Sequence, residues 1–302
     1  MCRSDQRGST QEEIRRARHA YYAAVAYIDD HVGRIRERLE ELGLAENTVV
    51  VVTSDHGDML GEKGLWYKMS PYEQSARVPL IVWGPEGLVP RGRFANPVSL
   101  LDLGATMMEL AEAGPAGSSE AGDGLARGSA RRGQAGDEAT TAREVAVAEG
   151  RTGLSLFESM RRESAGTTGP DDRDVVIEYL AEGTLRPQVT LVRGRYKFVL
   201  CPGDPDQLFD LEADPDELTN RSADPEYAEV ADRIRTELQG RYDLGALESD
   251  VLASQDRRRL VVEALQTGVS RPWDFAPEPQ QRYVRGDFWG ALEYGRIKDG
   301  SR

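Results

Sequence analysis

Apolar residues recur every three or four positions between Gln11 and Leu44: Ile14, Ala17, Tyr21, Val25, Ile28, Val32, Ile35 and Leu39. That spacing puts them on one stripe of a helix. Thr10, with Glu13 three residues on, predicts a capping box at its start, and Gly43 marks its stop. The period then changes. Val49 to Val52 is an unbroken β-branched run, the pattern of a strand buried on both faces, typical of parallel sheets. Ser75 to Trp83 reads as a second strand, entered through Pro79. Val98 to Leu110 reads as a step into a helix that Asp102 caps through its side-chain oxygen. From 111 to 143 the pattern disappears. Gly, Ala, Ser, Arg and Asp dominate, with a single Leu. Such a stretch buries too little apolar area to offset its ordering entropy, which predicts a flexible surface insertion. An extended pattern resumes at Val175–Gly183. Val189–Leu200 reads as a hairpin turning at Gly194. Gln207–Asn220 reads as a strand, an acidic turn and a helix cap. Tyr227–Leu247 reads as an amphipathic helix, and Arg257–Arg259 as a charged helix face.

Charge and composition narrow the function. The chain has 302 residues, enough for one large or two modest domains, and a net charge of −14. That balance argues against nucleic acid, whose binders carry a basic footprint, and against docking on anionic membranes. It also disfavours long-range capture of an anion, but not of a zwitterion. No stretch approaches a membrane span and the N-terminus has no apolar signal core. The two cysteines, Cys2 and Cys201, cannot build a disulfide framework, so a reducing cytoplasm is the simpler setting.

The candidate chemistry gathers just after the valine run. Open α/β sheets place ligands beyond the carboxyl ends of their strands, and Asp55 and His56 fall there. A carboxylate and a neutral imidazole together suit a divalent metal. The same pair also suits a helix cap beside a surface histidine. Gly57, Gly61 and Gly64 allow a tight loop. Lys68, twelve residues after His56, could return a cation to an anion held there. Asp29, Asp30 and His31 are neighbours on the long helix and point different ways, so they read as a solvated face.

The longer stretch SDHGDMLGEKGLWYKMSPYEQSARVPLIVWGP, Ser54 to Pro85, resembles the sulfatase family of the alkaline-phosphatase-like superfamily. QLFDLEADPDELTN (207–220) resembles a second sulfatase segment. SQDRRRLVVEALQTGVSRPWDFAPEPQQRYVRGDFWGALE resembles the C-terminal extension of choline sulfatases. The resemblance implies an α/β fold: the C-terminal portion of an alkaline-phosphatase-like mixed-sheet sandwich, then a small α+β C-terminal subdomain with an extended tail. It divides the chain into 11–110 for the catalytic domain, 111–150 for the insertion, 151–247 for the subdomain and 248–302 for the tail. It implies a divalent metal, Ca2+ or else Mg2+ or Mn2+, with Asp55 as ligand. His56 would ligate that metal or only hydrogen-bond the ester, and Lys68 would hold the sulfate group. Glu178, Glu182, Asp274 and Asp287 become candidates for a quaternary ammonium, with solvated carboxylates as the alternative. The implied substrate is a small-molecule sulfate ester, choline sulfate foremost. The tail implies a homo-oligomer.

The family nucleophile is a formylglycine made from C/S-x-P/A-x-R. Cys2 precedes Arg3-Ser4-Asp5 and Cys201 precedes Pro202-Gly203-Asp204, so neither fits. The expectation is a chain inactive by itself, either truncated or paired with a separate N-terminal half. The alternatives are an oligomeric scaffold without catalysis, and a phosphonate or phosphate monoester hydrolase of the same superfamily.

Overall fold

A computed structural model of the chain describes residues 10–113, 153–166, 173–180 and 184–268. The expected insertion, apart from its first residues, lies outside them. Helix α1 spans Gln11–Glu41. The predicted capping box forms: Thr10 Oγ1 accepts from the Glu13 amide at 3.2 Å, and Glu13 Oε2 accepts from the Thr10 amide at 2.7 Å. Gly43 follows the helix with φ 67°, the left-handed conformation that suits glycine. No residue of α1 is buried.

Strand β1 (Val50–Thr53) pairs antiparallel with a later strand (Leu80–Trp83), Val50 opposite Trp83 and Thr53 opposite Leu80. This corrects the expectation of a parallel strand buried on both faces. Directly paired residues share a face, so Val51 and Ile81 lie on opposite faces, 36% and 60% exposed. Both faces are apolar, as the valine run requires, and among the described residues neither is fully covered. Between these strands lie β2 (Met59–Leu60), β3 (Trp66–Tyr67) and the short helix α2 (Glu73–Ala76); Leu80–Trp83 is β4. The strand expected from Ser75 therefore begins only at Leu80. The preceding residues form a helical turn in which Ala76 and Arg77 amides donate to the carbonyls of Tyr72 and Glu73.

Helix α3 (Leu101–Ala113) and α4 (Leu156–Ser164) are joined by buried Asp102. Its carboxylate accepts from Ser99 N–H at 2.7 Å, as a cap should, but also from Leu154 N–H at 2.8 Å and from Arg173. The Asp102 carbonyl accepts from Thr106, whose hydroxyl in turn accepts the Leu156 amide.

The second half is a four-stranded antiparallel sheet in chain order: β5 (Asp174–Tyr179), β6 (Gln188–Arg193), β7 (Tyr196–Leu200) and β8 (Gln207–Asp210). Gly194, at φ 53°, makes the predicted β6–β7 turn. Alternation along the strands gives the sheet two faces. Val189, Leu191, Phe198, Leu200 and Leu208 meet Ala231, Ile234 and Leu238 of α5 (Ala228–Arg241) in the core. Each such side chain contributes about 1.5–3 kcal/mol by leaving water. Lys197, Val199 and Phe209 occupy the opposite face.

The expected single helix 227–247 is two. Helix α5 stops at Arg241, and α6 runs Leu244–Gln266. The extended Tyr242 breaks the first helix, and Asp243 accepts the Ala246 amide at 2.9 Å. The expected cap near Asn220 also moves. Asn220 Oδ1 instead accepts Leu208 and Ser222 amides, while Asp224 caps the turn before α5. The chain divides into two units, 1–249 and 250–302. The described part of the second continues α6 as an exposed helix on which Arg257–Arg259 lie. Among the described residues, no helix is long and apolar enough to cross a membrane. Cys201 is a buried free thiol.

Candidate active site

The site forms where β1 ends. Ser54 Oγ donates to the His56 carbonyl at 2.7 Å, and the His56 amide donates to Asp55 Oδ1 at 3.0 Å. These bonds curl the backbone so that consecutive residues 55 and 56 present side chains together. His56 Nδ1 is 2.8 Å from the Gly57 carbonyl. A carbonyl only accepts, so Nδ1 carries the hydrogen and Nε2 keeps its lone pair in the neutral ring. Nε2 is 3.5 Å from Asp55 Oδ2. The Asp55 side chain is 85% exposed and that of His56 34%. Desolvation pushes the Asp55 carboxyl upward, but His56, the amides of residues 55 and 56 and the Lys68 ammonium outweigh it and hold it below the usual range. Asp55 and His56 meet at the end of β1, and the backbone of Lys68 is tied to Gly57 through Ser75.

Ser75, which did not announce itself as a site residue, holds that locality together with Gly57, whose tight turn was expected. Buried Ser75 accepts the Gly57 amide on its carbonyl at 2.8 Å, and its hydroxyl donates to the Lys68 carbonyl. A Cβ on Gly57 would stand 2.2 Å from the Gln74 carbonyl oxygen, so this close backbone approach requires glycine. The loop between also needs left-handed residues: Gly61, Lys63, Gly64 and Tyr67 all have positive φ. Helix α1 braces it, with Arg18 donating to the Leu60 carbonyl at 2.9 Å and to Glu62 at 3.0 Å.

The ammonium-binding candidates are dispersed. Glu178, exposed on edge strand β5, accepts the Tyr242 hydroxyl at 2.8 Å, and among the described residues no hydrogen bond or ion pair joins it to Asp55, His56 or Lys68. Glu182, Asp274 and Asp287 lie outside the described residues. Among the described residues no group of three or more His, Cys, Asp or Glu gathers as a metal cage. Asp55 and His56 supply two donors on one open side, which fits part of a metal site.

Comparison with known proteins accords with this geometry. The sulfatase family profile matches residues 2–113, and the profile for the choline sulfatase enzyme C terminus matches 249–295. The choline-sulfatase of Rhizobium meliloti is 36% identical over 293 residues, covering 91% of this chain and 48% of that protein. Arylsulfatase K of Homo sapiens is 42% identical over 102 residues, 34% of this chain and 19% of that one. Among solved structures, a 2-O GAG sulfatase superimposes with TM-score 0.56 at 23% identity, over 83% of this chain and 46% of that chain. A phosphonate monoester hydrolase from Silicibacter pomeroyi gives 0.54 at 25%, over 78% and 42%. The chain spans about half the length of the choline-sulfatase it matches. With the strand-to-loop site, the two-part sheet architecture and these matches together, the chain carries a sulfatase family domain and a choline sulfatase C-terminal segment, with the alkaline-phosphatase-like α/β fold.

Proposed function

We propose that this chain supplies the Asp55–His56–Lys68 part of the active site of a sulfuric-ester hydrolase acting on choline sulfate. The observation that carries this reading is the meeting of a carboxylate and an imidazole Nε2 at the mouth of β1, with the Lys68 turn tied beside them through Ser75. The choline preference is supported by the similarity to choline-sulfatase along most of the chain and by the C-terminal match. Asp55 would ligate a divalent metal, with His56 as second ligand or as a hydrogen-bonding partner of the ester. Calcium takes about six to eight oxygens, so these two residues are a minority of its shell; Mg2+ or Mn2+ would use the same donors. The metal, when bound, would supply Lewis acidity at the ester oxygen. Lys68 would offset charge on the sulfuryl group.

The nucleophile is not among these residues. No Cys or Ser of the 302 stands in C/S-x-P/A-x-R, so we expect the chain by itself to leave the ester intact. The division into 11–110, 111–150, 151–247 and 248–302, a homo-oligomer formed through the tail and a cytoplasmic setting belong to the same proposal. A second reading, phosphonate monoester hydrolysis, is favoured by the likeness to the Silicibacter enzyme. One experiment separates them. The chain is joined to the remaining half of the Rhizobium choline-sulfatase and assayed for sulfate release from choline sulfate and for hydrolysis of a phosphonate monoester. Faster sulfate release, lost about a hundredfold in Lys68→Ala, supports the first reading. Preferential phosphonate turnover sinks it.

A further inference from the structure

A second charge cluster lies behind the site. Lys197 on β7 is fully buried. Its Nζ is 2.6 Å from Glu73 Oε1 and 2.8 Å from Glu217 Oε1, and it donates to the Pro71 carbonyl at 3.0 Å. Glu217 is buried too, and its Oε2 accepts the Glu73 amide at 2.7 Å. Its carbonyl accepts from Lys63, which also donates to the Asp216 carbonyl at 2.8 Å and lies 4.7 Å from the Tyr72 ring centre. Glu217 has φ 53°, a conformation that a non-glycine residue keeps only when its surroundings impose it.

The hydrophobic core does not need this cluster, because it occupies the opposite face of the sheet. Burying the Lys197 and Glu217 charges beside half-buried Glu73 is costly, and stripping one partner leaves the others uncompensated. Apart from the Glu73–Arg77 ion pair at 3.7 Å and the Glu217 amide on the Asp214 carbonyl, the cluster's contacts run to the loop at 63 or to residues 71–73. Residue 73 opens α2, and α2 carries Ser75, which holds both the Lys68 carbonyl and the Gly57 amide. We infer that Lys197 and Glu217 are positioning residues. Through Glu73 and Ser75 they set the Lys68 turn against the Asp55–His56–Gly57 turn. The catalytic consequence rests on the function proposed above; the positioning itself does not.

Amide hydrogen exchange on the full chain tests it. In Lys197→Met, exchange at Gly57, Ala76 and Arg77 should accelerate about tenfold or more, while Leu191 and Phe198 change less than about threefold, because opening is local. A variant combining Glu73→Gln, Lys197→Met and Glu217→Gln removes all three charges and deprives only the exposed Arg77 of a partner, so it keeps the test valid if the single change unfolds the chain. It should show the same selective loss. Uniform acceleration in the combined variant, or unchanged protection at Gly57, overturns the inference. If Lys68→Ala leaves sulfate release by the joined enzyme unaltered, the functional reading fails instead, and the exchange data still decide the positioning.

Discussion

The two halves of this molecule are stabilised in opposite ways. The sheet β5–β8 with α5 has a closed core: Val189, Leu191, Phe198, Leu208, Ile234 and Leu238 are sealed from water. The half that carries Asp55, His56 and Lys68 buries only Met59, Leu65, Val89, Leu156 and Phe157 among its described hydrophobic residues, and none of them joins that core. Helix α1 buries no residue, and Tyr22, Val25, Tyr27, Ile28 and Ile35 stand exposed along it. What fixes the site-bearing half is polar and directional: Arg18 on the Leu60 carbonyl, Ser75 on two turns, Asp102 on three chain segments. Hydrophobic burial tolerates small shifts, whereas hydrogen bonds need geometry. The contrast teaches that site placement here depends on a few polar hubs anchored to the well-packed half, with Lys197 bridging the two.

The largest expected effect tests the anchor. Phe198→Ala should destabilise the chain by about 3–5 kcal/mol, the usual loss for a buried aromatic, read from the urea midpoint at constant slope. If the sheet is the anchor, amide protection at Gly57 falls along with that of β6 and β7. Gly57 protection that survives melting of the sheet would mean that the two halves are independent, and the contrast would lose its meaning.

Gly57→Ala comes next and strikes the other half alone. The added methyl meets the Gln74 carbonyl, backbone that cannot rotate away, so roughly 1–3 kcal/mol of overpacking strain is expected. It should appear as faster exchange at Ala76 and Arg77 with the sheet little changed. A drop in sheet protection of equal size would show that strain in the site spreads through the molecule.

Much of this arrangement was legible in the sequence where a local rule governs it. The Thr10–Glu13 box, the Gly194 turn, the valine strand and the Asp55-His56 step all follow from residues within a few positions of one another. The resemblance of Ser54–Pro85 to sulfatases placed Lys68 in the same locality. What escaped notice depends on partners distant in sequence. Lys197 alternates with Tyr196 and Phe198 in a hairpin strand, where a lysine ordinarily faces solvent. Its burial is decided by Glu73 and Glu217 on two other segments. Glu217 read as one more acidic turn residue for the same reason. The short reach of β4 likewise reflects the Tyr72–Arg77 turn, whose bonds outweigh the strand propensity of Val78 and its neighbours.

Charge in the packed half predicts a pH effect. Burial pushes the Asp174 carboxyl upward, but bonds from Arg193 and Arg241 outweigh that and hold it below its ordinary value. Its folded value thus lies below the unfolded one, about 3.9. The stabilisation is present above that pH and fades as pH falls through the folded value. Asp174→Asn should cost about 2 kcal/mol at neutral pH, the order expected for charge-assisted bonds, and should flatten the acid limb of the stability curve. Tyr242 behaves in the opposite region. Burial first, then Glu178, pushes its hydroxyl up to about 12, so its contribution is complete below about pH 10 and disappears as pH rises towards 12. Absorbance titration of Glu178→Gln should show that phenol ionising earlier. An unchanged titration would detach Glu178 from Tyr242 and return it to the candidates for binding an ammonium.

The smallest effect is the most local one. Thr10→Ala removes the hydroxyl that accepts the Glu13 amide and should cost about 1 kcal/mol. Where that cost appears separates the two kinds of support. A helix held by a buried face distributes the loss of a cap over global unfolding. Helix α1 has no buried residue; its hydrogen bonds to the loop start at Arg18, and before that only half-buried Ile14 approaches Gly61. Its first turn should therefore fray alone, with exchange speeding up at Glu13 and Ile14 while the urea midpoint stays within error. A shift in the midpoint by the full amount would mean that the start of α1 is coupled to the sheet through contacts stronger than its exposed face suggests.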